Sequence, residues 1–348
     1  MTNSNNPNPT PQSEPNDQNT RLQELKQFDE SKIGVKGLVD RGLNAIPSIF
    51  VHPNLPDPYP GSSSTNQSDP KPKIPVIDFS APRWTVIDQV RQAAATLGFF
   101  QIINHSVPLA SINKILESMK QFYELPESVK REYYHRDVTR GASSSTNFDL
   151  YQSKAVRTRP DPPLWEHVPE TCREAVMEWD KQVLEISDEL MGILCEGLGL
   201  RLGNGNSNKL KEMSCLQGRA MHTDPGVLTV LVQNEVPGLQ VKVAEQWVDV
   251  EPVAGAIVIN IGDILQIMSN DVYKSVEHRV LANPLNDARV SVAVFMNPGL
   301  RENLFGPLPE LVSAENPALY RQFTLADYMT RFFSKELDGK TLTDYYSI

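Results

Sequence analysis

The stretch HTDPGVLTVLVQ, residues 222–233, sets two metal-ligating residue types directly before a run of β-formers. His222 and Asp224 lie two apart, so in extended backbone their side chains leave the same face and can chelate a single ion. Beyond Met221 the chain continues as short β-rich runs, VLTVLVQ, LQVKV, QWVDV, AIVINI, SVEHRVL and RVSVAVF, with turn signals such as PG at 237–238 and GD at 262–263 between them. Many short strands at close intervals imply an antiparallel sandwich or barrel.

A second histidine, His278, lies several strands further on, inside YKSVEHRVL. Two histidines and one carboxylate on neighbouring strands make the ligand set of non-haem Fe(II) oxygenases, because they hold divalent iron and leave adjacent coordination positions open. The same residue types also suit zinc and water activation, which makes a metal-dependent hydrolase the alternative on the ligands alone. Arg289 and Ser291, again two apart, follow His278 by eleven and thirteen residues. An arginine fork with a neighbouring hydroxyl can hold a carboxylate by several hydrogen bonds. That suits the distal carboxylate of a 2-oxo acid and argues against the hydrolase.

Upstream of the strands the chain is organised around helices. Residues 1–20 are rich in Asn, Pro, Ser and Thr and are expected to be a disordered tail. Residues 21–73 form an arm of one or two short helices and a Pro-rich linker. Residues 74–200 form an N-terminal domain that opens with the strand IPVIDFS. Helices are expected over TVIDQVRQAAATLG, over 109–125 and over 174–200, with a strand FFQIIN between the first two. Residues 201–300 hold the β-rich domain, and 301–348 return to helix in TLADYMTRFFSKEL.

The net charge of −10 disfavours nucleic acid and anionic membranes as partners and leaves a small molecule as the expected one. Cys172, Cys195 and Cys215 have no CxxC spacing and read as reduced thiols. With no signal-like N-terminus and no long apolar segment, the expected location is cytoplasmic. Oligomeric state is not legible.

From HTDPGVLTVLVQ to RVSVAVF the chain resembles the plant Fe(II)/2-oxoglutarate-dependent dioxygenases, a family that includes flavonoid and gibberellin oxidases and aminocyclopropane-carboxylate oxidase. IPVIDFS, LGFFQIINHSVP and NFDLYQS resemble its N-terminal domain. The nearest members in character are aminocyclopropane-carboxylate oxidase homologues and enzymes like deacetoxyvindoline hydroxylase. The resemblance implies an α+β fold with a distorted double-stranded β-helix (jelly roll) core, flanking helices and C-terminal helices closing over the substrate. It assigns His222, Asp224 and His278 to Fe(II), and Arg289 with Ser291 to 2-oxoglutarate. It also implies O2 as co-substrate, ascorbate as reductant, and oxidation, chiefly hydroxylation, of a small metabolite with release of succinate and CO2.

Two departures stand out. Relatives carry a strand with an Asn-x-Tyr segment shortly before the His-x-Asp pair, whose tyrosine commonly helps bind 2-oxoglutarate, and here SCLQGRAMHTD reads as passing straight into the metal motif. About ten further residues are expected to be missing after NFDLYQS. Together they raise an alternative function, a catalytically impaired relative that binds metal and a small molecule. Among other residues, His105 reads as a structural turn histidine, and His52, His135 and His167 as surface residues. Asn260 and Asp263 read as a strand end and a tight turn, Phe295 as a core aromatic, Arg279 as facing away from His278, and ELPESVKREYYHRD as a solvated helix face.

Overall fold

The computed structural model describes residues 15–42, 47–50, 72–133, 142–143, 155–156, 165, 168–200, 213–215, 222–281, 287–298, 303–334 and 342–348. The arm contributes helices α1 (Pro15–Ser31) and α2 (Gly34–Asp40). After it come β1 (Val76–Asp78), α3 (Arg83–Thr96), β2 (Phe99–Ile103), α4 (Leu109–Glu124) and α5 (Glu127–Glu132). Two short strands, β3 (Ala142–Ser143) and β4 (Ala155–Val156), pair with each other before the long helix α6 (Glu170–Gly197). The β-rich part comprises β5 (Met213–Cys215), β6 (Leu228–Gln233), β7 (Leu239–Val243), β8 (Gln246–Asp249), β9 (Ile257–Ile261), helix α7 (Asp263–Met268), β10 (His278–Val280) and β11 (Ser291–Pro298). The chain closes with β12 (Leu304–Phe305), β13 (Phe323–Thr324), α8 (Leu325–Ser334) and α9 (Leu342–Tyr346).

The major sheet has the order β1-β2-β9-β6-β11-β5, and a second sheet has the order β10-β7-β8. Alternation along the strands of the major sheet splits its residues between two environments. Phe100, Ile102, Val230, Val232, Ile257, Ile259, Ile261 and Met296 face the helices, where they pack with Val90 of α3, Ile112 of α4 and Ile186 of α6. Phe99 and Val258, on the other face, pack with Leu239, Val241 and Val248 of the second sheet. Two sheets closed on an apolar interior, with helices outside one of them, are the distorted jelly roll of an α+β fold. β1 and β2, from the segment 74–200, complete the major sheet through the antiparallel β2–β9 pairing.

All six expected runs beyond Met221 form strands. Helix α1 begins at Pro15, inside the stretch expected to be tail, because a proline is preorganised for the first helical position and lacks only an N–H that would have no partner there. The stretch around α5, expected to be a solvated face, is largely exposed and also holds the arm along one side. Arg131 Nη2 donates to the Ser31 carbonyl at 3.0 Å, and buried Lys130 donates to the Tyr123 carbonyl at 2.8 Å. Lys36 and Arg41 of the arm pair with Glu124 and Glu127. Three-residue β5 pairs with the last residues of β11, so a strand does precede the metal motif, although a short one. His52, His135, His167 and NFDLYQS lie outside the described residues.

The turn from α3 into β2 fixes how the early segment enters the sheet. Gly98 has φ +61°, its N–H reaches the Ala93 carbonyl at 2.9 Å, and a Cβ there would lie 2.2 Å from the Lys274 carbonyl oxygen. A side chain would meet both a left-handed backbone and a main-chain wall. Gly98→Ala is therefore expected to cost about 2 to 4 kcal/mol of stability. A urea titration with an unchanged midpoint would refute the close approach.

Candidate metal centre

His222 and His278 are locked opposite each other by backbone. The His222 N–H donates to the His278 carbonyl at 3.2 Å and the His278 N–H returns to the His222 carbonyl at 3.1 Å. This reciprocal pair sets the two rings with centroids 4.6 Å apart. The Phe99 ring of β2 packs on His278 at 5.2 Å from the other direction. One Asp224 oxygen, Oδ1, lies 3.1 Å from His222 Nε2 and 3.7 Å from His278 Nε2. Donors bound side by side to one ion at about 2.1 Å stand roughly 3 Å apart.

The other oxygen of Asp224 is fully engaged. Oδ2 accepts from Thr229 Oγ1 at 2.5 Å and from Asn260 Nδ2 at 2.7 Å. Oδ1 is buried with no hydrogen-bond partner, an arrangement that a bare carboxylate tolerates poorly and a cation satisfies. Among the described residues, His222, Asp224 and His278 are the group whose ligand atoms all lie within 4.8 Å of one another. The donor set fits a divalent metal.

Protonation follows the same geometry. Burial pushes the His278 imidazole down to about 4, with the charge of Asp224 opposing the shift and His222 adding to it. Burial would raise the Asp224 carboxyl, but the imidazoles of His278 and His222 and the Thr229 hydroxyl outweigh it and hold the group ionised. The Nδ1 of His278 lies 3.3 Å from the Val276 carbonyl, which favours a proton there and a lone pair on the Nε2 that faces Asp224.

The register of the major sheet explains where these partners come from. Phe99, Asn260, Thr229 and Phe295 form one row across β2, β9, β6 and β11, all on the inner face. Thus Asn260 and Asp263, expected to be a strand end and a turn, are supports of the site. Asp263 opens helix α7, and its N–H donates to the Asp224 carbonyl at 2.8 Å. Its carboxylate accepts from Thr223 Oγ1 at 3.0 Å and from the Tyr328 hydroxyl of α8 at 2.9 Å. Burial, with the charge of Asp224 adding to it, pushes this carboxyl up to about 6. Gly262 keeps the two loops in contact, since a Cβ there would lie 2.2 Å from the Gly226 carbonyl oxygen. Phe295, expected in the core, is buried on the inner face opposite Thr229.

Arg289 and Ser291 lie together further along this face. Arg289 Nη1 donates to Ser291 Oγ at 3.0 Å and Nη2 to Gln233 Oε1 at 2.7 Å. Four strand residues, about 13 Å, separate Ser291 from the row at Phe295. Arg279 faces the opposite way, as alternation requires, with its guanidinium 4.0 Å above the Trp247 ring. His105 Nε2 meets the Gly255 carbonyl at 3.0 Å, in keeping with a structural turn residue.

Comparison with known proteins fits this geometry. Residues 209–298 match the 2OG-Fe(II) oxygenase superfamily, and residues 74–169 match the N-terminal domain described as non-haem dioxygenase in morphine synthesis. The 1-aminocyclopropane-1-carboxylate oxidase homolog 3 of Arabidopsis thaliana is 40% identical, with 94% of this chain and 97% of that protein aligned. The chain belongs to the 2OG-Fe(II) oxygenase superfamily. Homolog 11 of the same plant is 41% identical over 92% of this chain and 95% of its own length. Among solved structures, JOX2 in complex with 2OG, Fe and JA superposes with a TM-score of 0.69 at 28% identity, covering 80% of this chain and 90% of that one. The rice dioxygenase for auxin oxidation gives 0.63 at 25% identity, covering 79% of this chain and all of that one.

As a member of this superfamily the chain is an Fe(II)/2-oxoglutarate-dependent dioxygenase that uses O2, with ascorbate as the usual reductant. The 363 aligned positions shared with homolog 3 outnumber the 348 residues of the chain; 94% of 348 is about 327, so about 36 positions have no residue here. No helix among the described residues is long and apolar enough to cross a membrane.

The buried imidazole yields a direct test. In the metal-free protein the ring resonances of His278 are expected to titrate with a midpoint near 4, against an ordinary value of 6.5. The unfolded imidazole then binds its proton first, so this group subtracts stability as pH falls from 6.5 towards 4. An NMR midpoint at or above 6.5 would contradict the closed surroundings described for this ring.

Proposed function

We propose that this dioxygenase hydroxylates a small organic metabolite, with Fe(II) held by His222, Asp224 and His278 and the distal carboxylate of 2-oxoglutarate held by Arg289 and Ser291. The observation that carries the reading is the division of labour in Asp224, one oxygen tied to Thr229 and Asn260 and the other turned to both histidines. Bound iron would supply O2 activation coupled to decarboxylation of 2-oxoglutarate to succinate and CO2, chemistry that side chains lack. The protein's own residues do the positioning. Phe99 packs against the His278 ring, and Arg289 with Ser291 would supply a cation and a hydroxyl to the distal carboxylate.

A small-molecule substrate is supported by the structural relatives, one solved with JA and one named for auxin oxidation. The inner positions Leu231, Ala293 and Phe295 offer an apolar wall for such a molecule. The hydrolase reading loses its ground with membership of the oxygenase superfamily. The alternative reading is a protein that binds metal and 2-oxoglutarate without turnover, prompted by the roughly 36 aligned positions that have no residue in this chain.

Both readings meet in one experiment on the purified full chain with Fe(II), ascorbate and 2-oxoglutarate. Succinate release is expected in the wild type and to fall more than about a hundredfold in His222→Ala and Asp224→Ala. Binding without any succinate, across a panel of small organic acids, would select the impaired reading. Arg289→Ala is expected to raise the KM for 2-oxoglutarate by about ten- to a hundredfold with iron affinity unchanged. An unaltered KM would remove Arg289 from its assigned role.

A further inference from the structure

Gln233 ends β6 directly opposite Ser291 of β11, on the inner face of the sheet. Its Oε1 accepts from Arg289 Nη2 at 2.7 Å. Arginine carries donors only, so the oxygen of the amide must face it and the nitrogen must point elsewhere. That nitrogen, Nε2, is buried and has no hydrogen-bond partner. A buried amide N–H left unsatisfied is costly, and in native proteins it usually marks a place where a ligand or water completes the bond.

The next residue strengthens the arrangement. Asn234 accepts from the Val290 N–H at 3.1 Å, its own N–H donates to the Val290 carbonyl at 3.0 Å, and its Nδ2 donates to the Ala288 carbonyl at 2.9 Å. The backbone on both sides of Arg289 is thereby clamped to the end of β6. Gly238 leaves room for the arginine stem, since a Cβ there would lie 3.2 Å from Arg289 Cδ. The pair Gln233 and Asn234 therefore fixes where the guanidinium sits, and Gln233 leaves one amide donor over on the same face.

We propose that Gln233 is a third member of the 2-oxoglutarate anchor, orienting Arg289 through Oε1 and donating from Nε2 to the distal carboxylate of the co-substrate. This rests on the proposed assignment of Arg289 and Ser291. An ionised carboxylate accepts about four hydrogen bonds, enough for the guanidinium, the Ser291 hydroxyl and this amide together. The residue acts on the distal end of the co-substrate and leaves the metal-binding end alone.

The test compares 2-oxoglutarate with 2-oxobutyrate, a 2-oxo acid without a distal carboxylate. Both are titrated into anaerobic Fe(II)-loaded protein and followed by the visible charge-transfer band of the iron–2-oxo acid chelate. Gln233→Leu is expected to weaken 2-oxoglutarate binding about tenfold or more and 2-oxobutyrate binding less than about threefold. Gln233→Glu keeps the acceptor for Arg289 and so holds the thermal unfolding midpoint at or above that of the wild type. It also places a like charge against the carboxylate, so its loss of 2-oxoglutarate affinity should exceed that of Gln233→Leu. Equal losses for both 2-oxo acids, or wild-type affinity in Gln233→Glu, would overturn the proposal even if Gln233→Leu fails to fold. A wild type that binds neither 2-oxo acid would overturn the underlying functional reading along with it.

Discussion

The metal centre depends on a carboxylate whose two oxygens do different work. Thr229 and Asn260 hold one oxygen of Asp224, which fixes the direction of the other, and that oxygen is the point to which both histidine Nε2 atoms turn. Thr229 follows Asp224 by five residues, whereas Asn260 is 36 residues away and reaches it because β6 and β9 pair in a register that sets Thr229 beside Asn260. The geometry of the centre is thus a property of the sheet, and the reciprocal backbone pair between His222 and His278 adds the second sheet to it.

Around this core lies a second layer of polar ties. Asp263 joins two parts of the chain far apart in sequence, the segment between the ligands through Thr223 and helix α8 through Tyr328, beside the close approach of Gly262 to Gly226. The carboxyl sits fully buried, which raises its affinity for a proton, yet its acceptor role toward two hydroxyls is served in either protonation state. Its contribution is organisation rather than charge.

Much of this was legible in the sequence, for identifiable reasons. Period-two alternation marks the runs beyond Met221, because strands preserve facing relations over short ranges, whereas the approach of His278 to His222 comes from pairing across 56 residues. Helix α7 was missed because six residues are too few to display a helical period and Gly-Asp is also a turn signal. Thr229 and Asn260 carried a detectable hint, each being a polar residue within an otherwise apolar strand, a placement that demands a partner. The sequence could not name that partner. The tie between Asp263 and Tyr328 spans 65 residues and has no pattern at all. Gln233 likewise looks like a solvated strand end until the register sets it opposite Ser291.

Phe99, from the early part of the chain, forms the wall behind His278, and β2 borders the strand that supplies Asn260. The iron-binding half of this sequence is therefore not a cassette that could be lifted out at residue 200 and grafted elsewhere. Recombination at that boundary would separate a ligand from its backing.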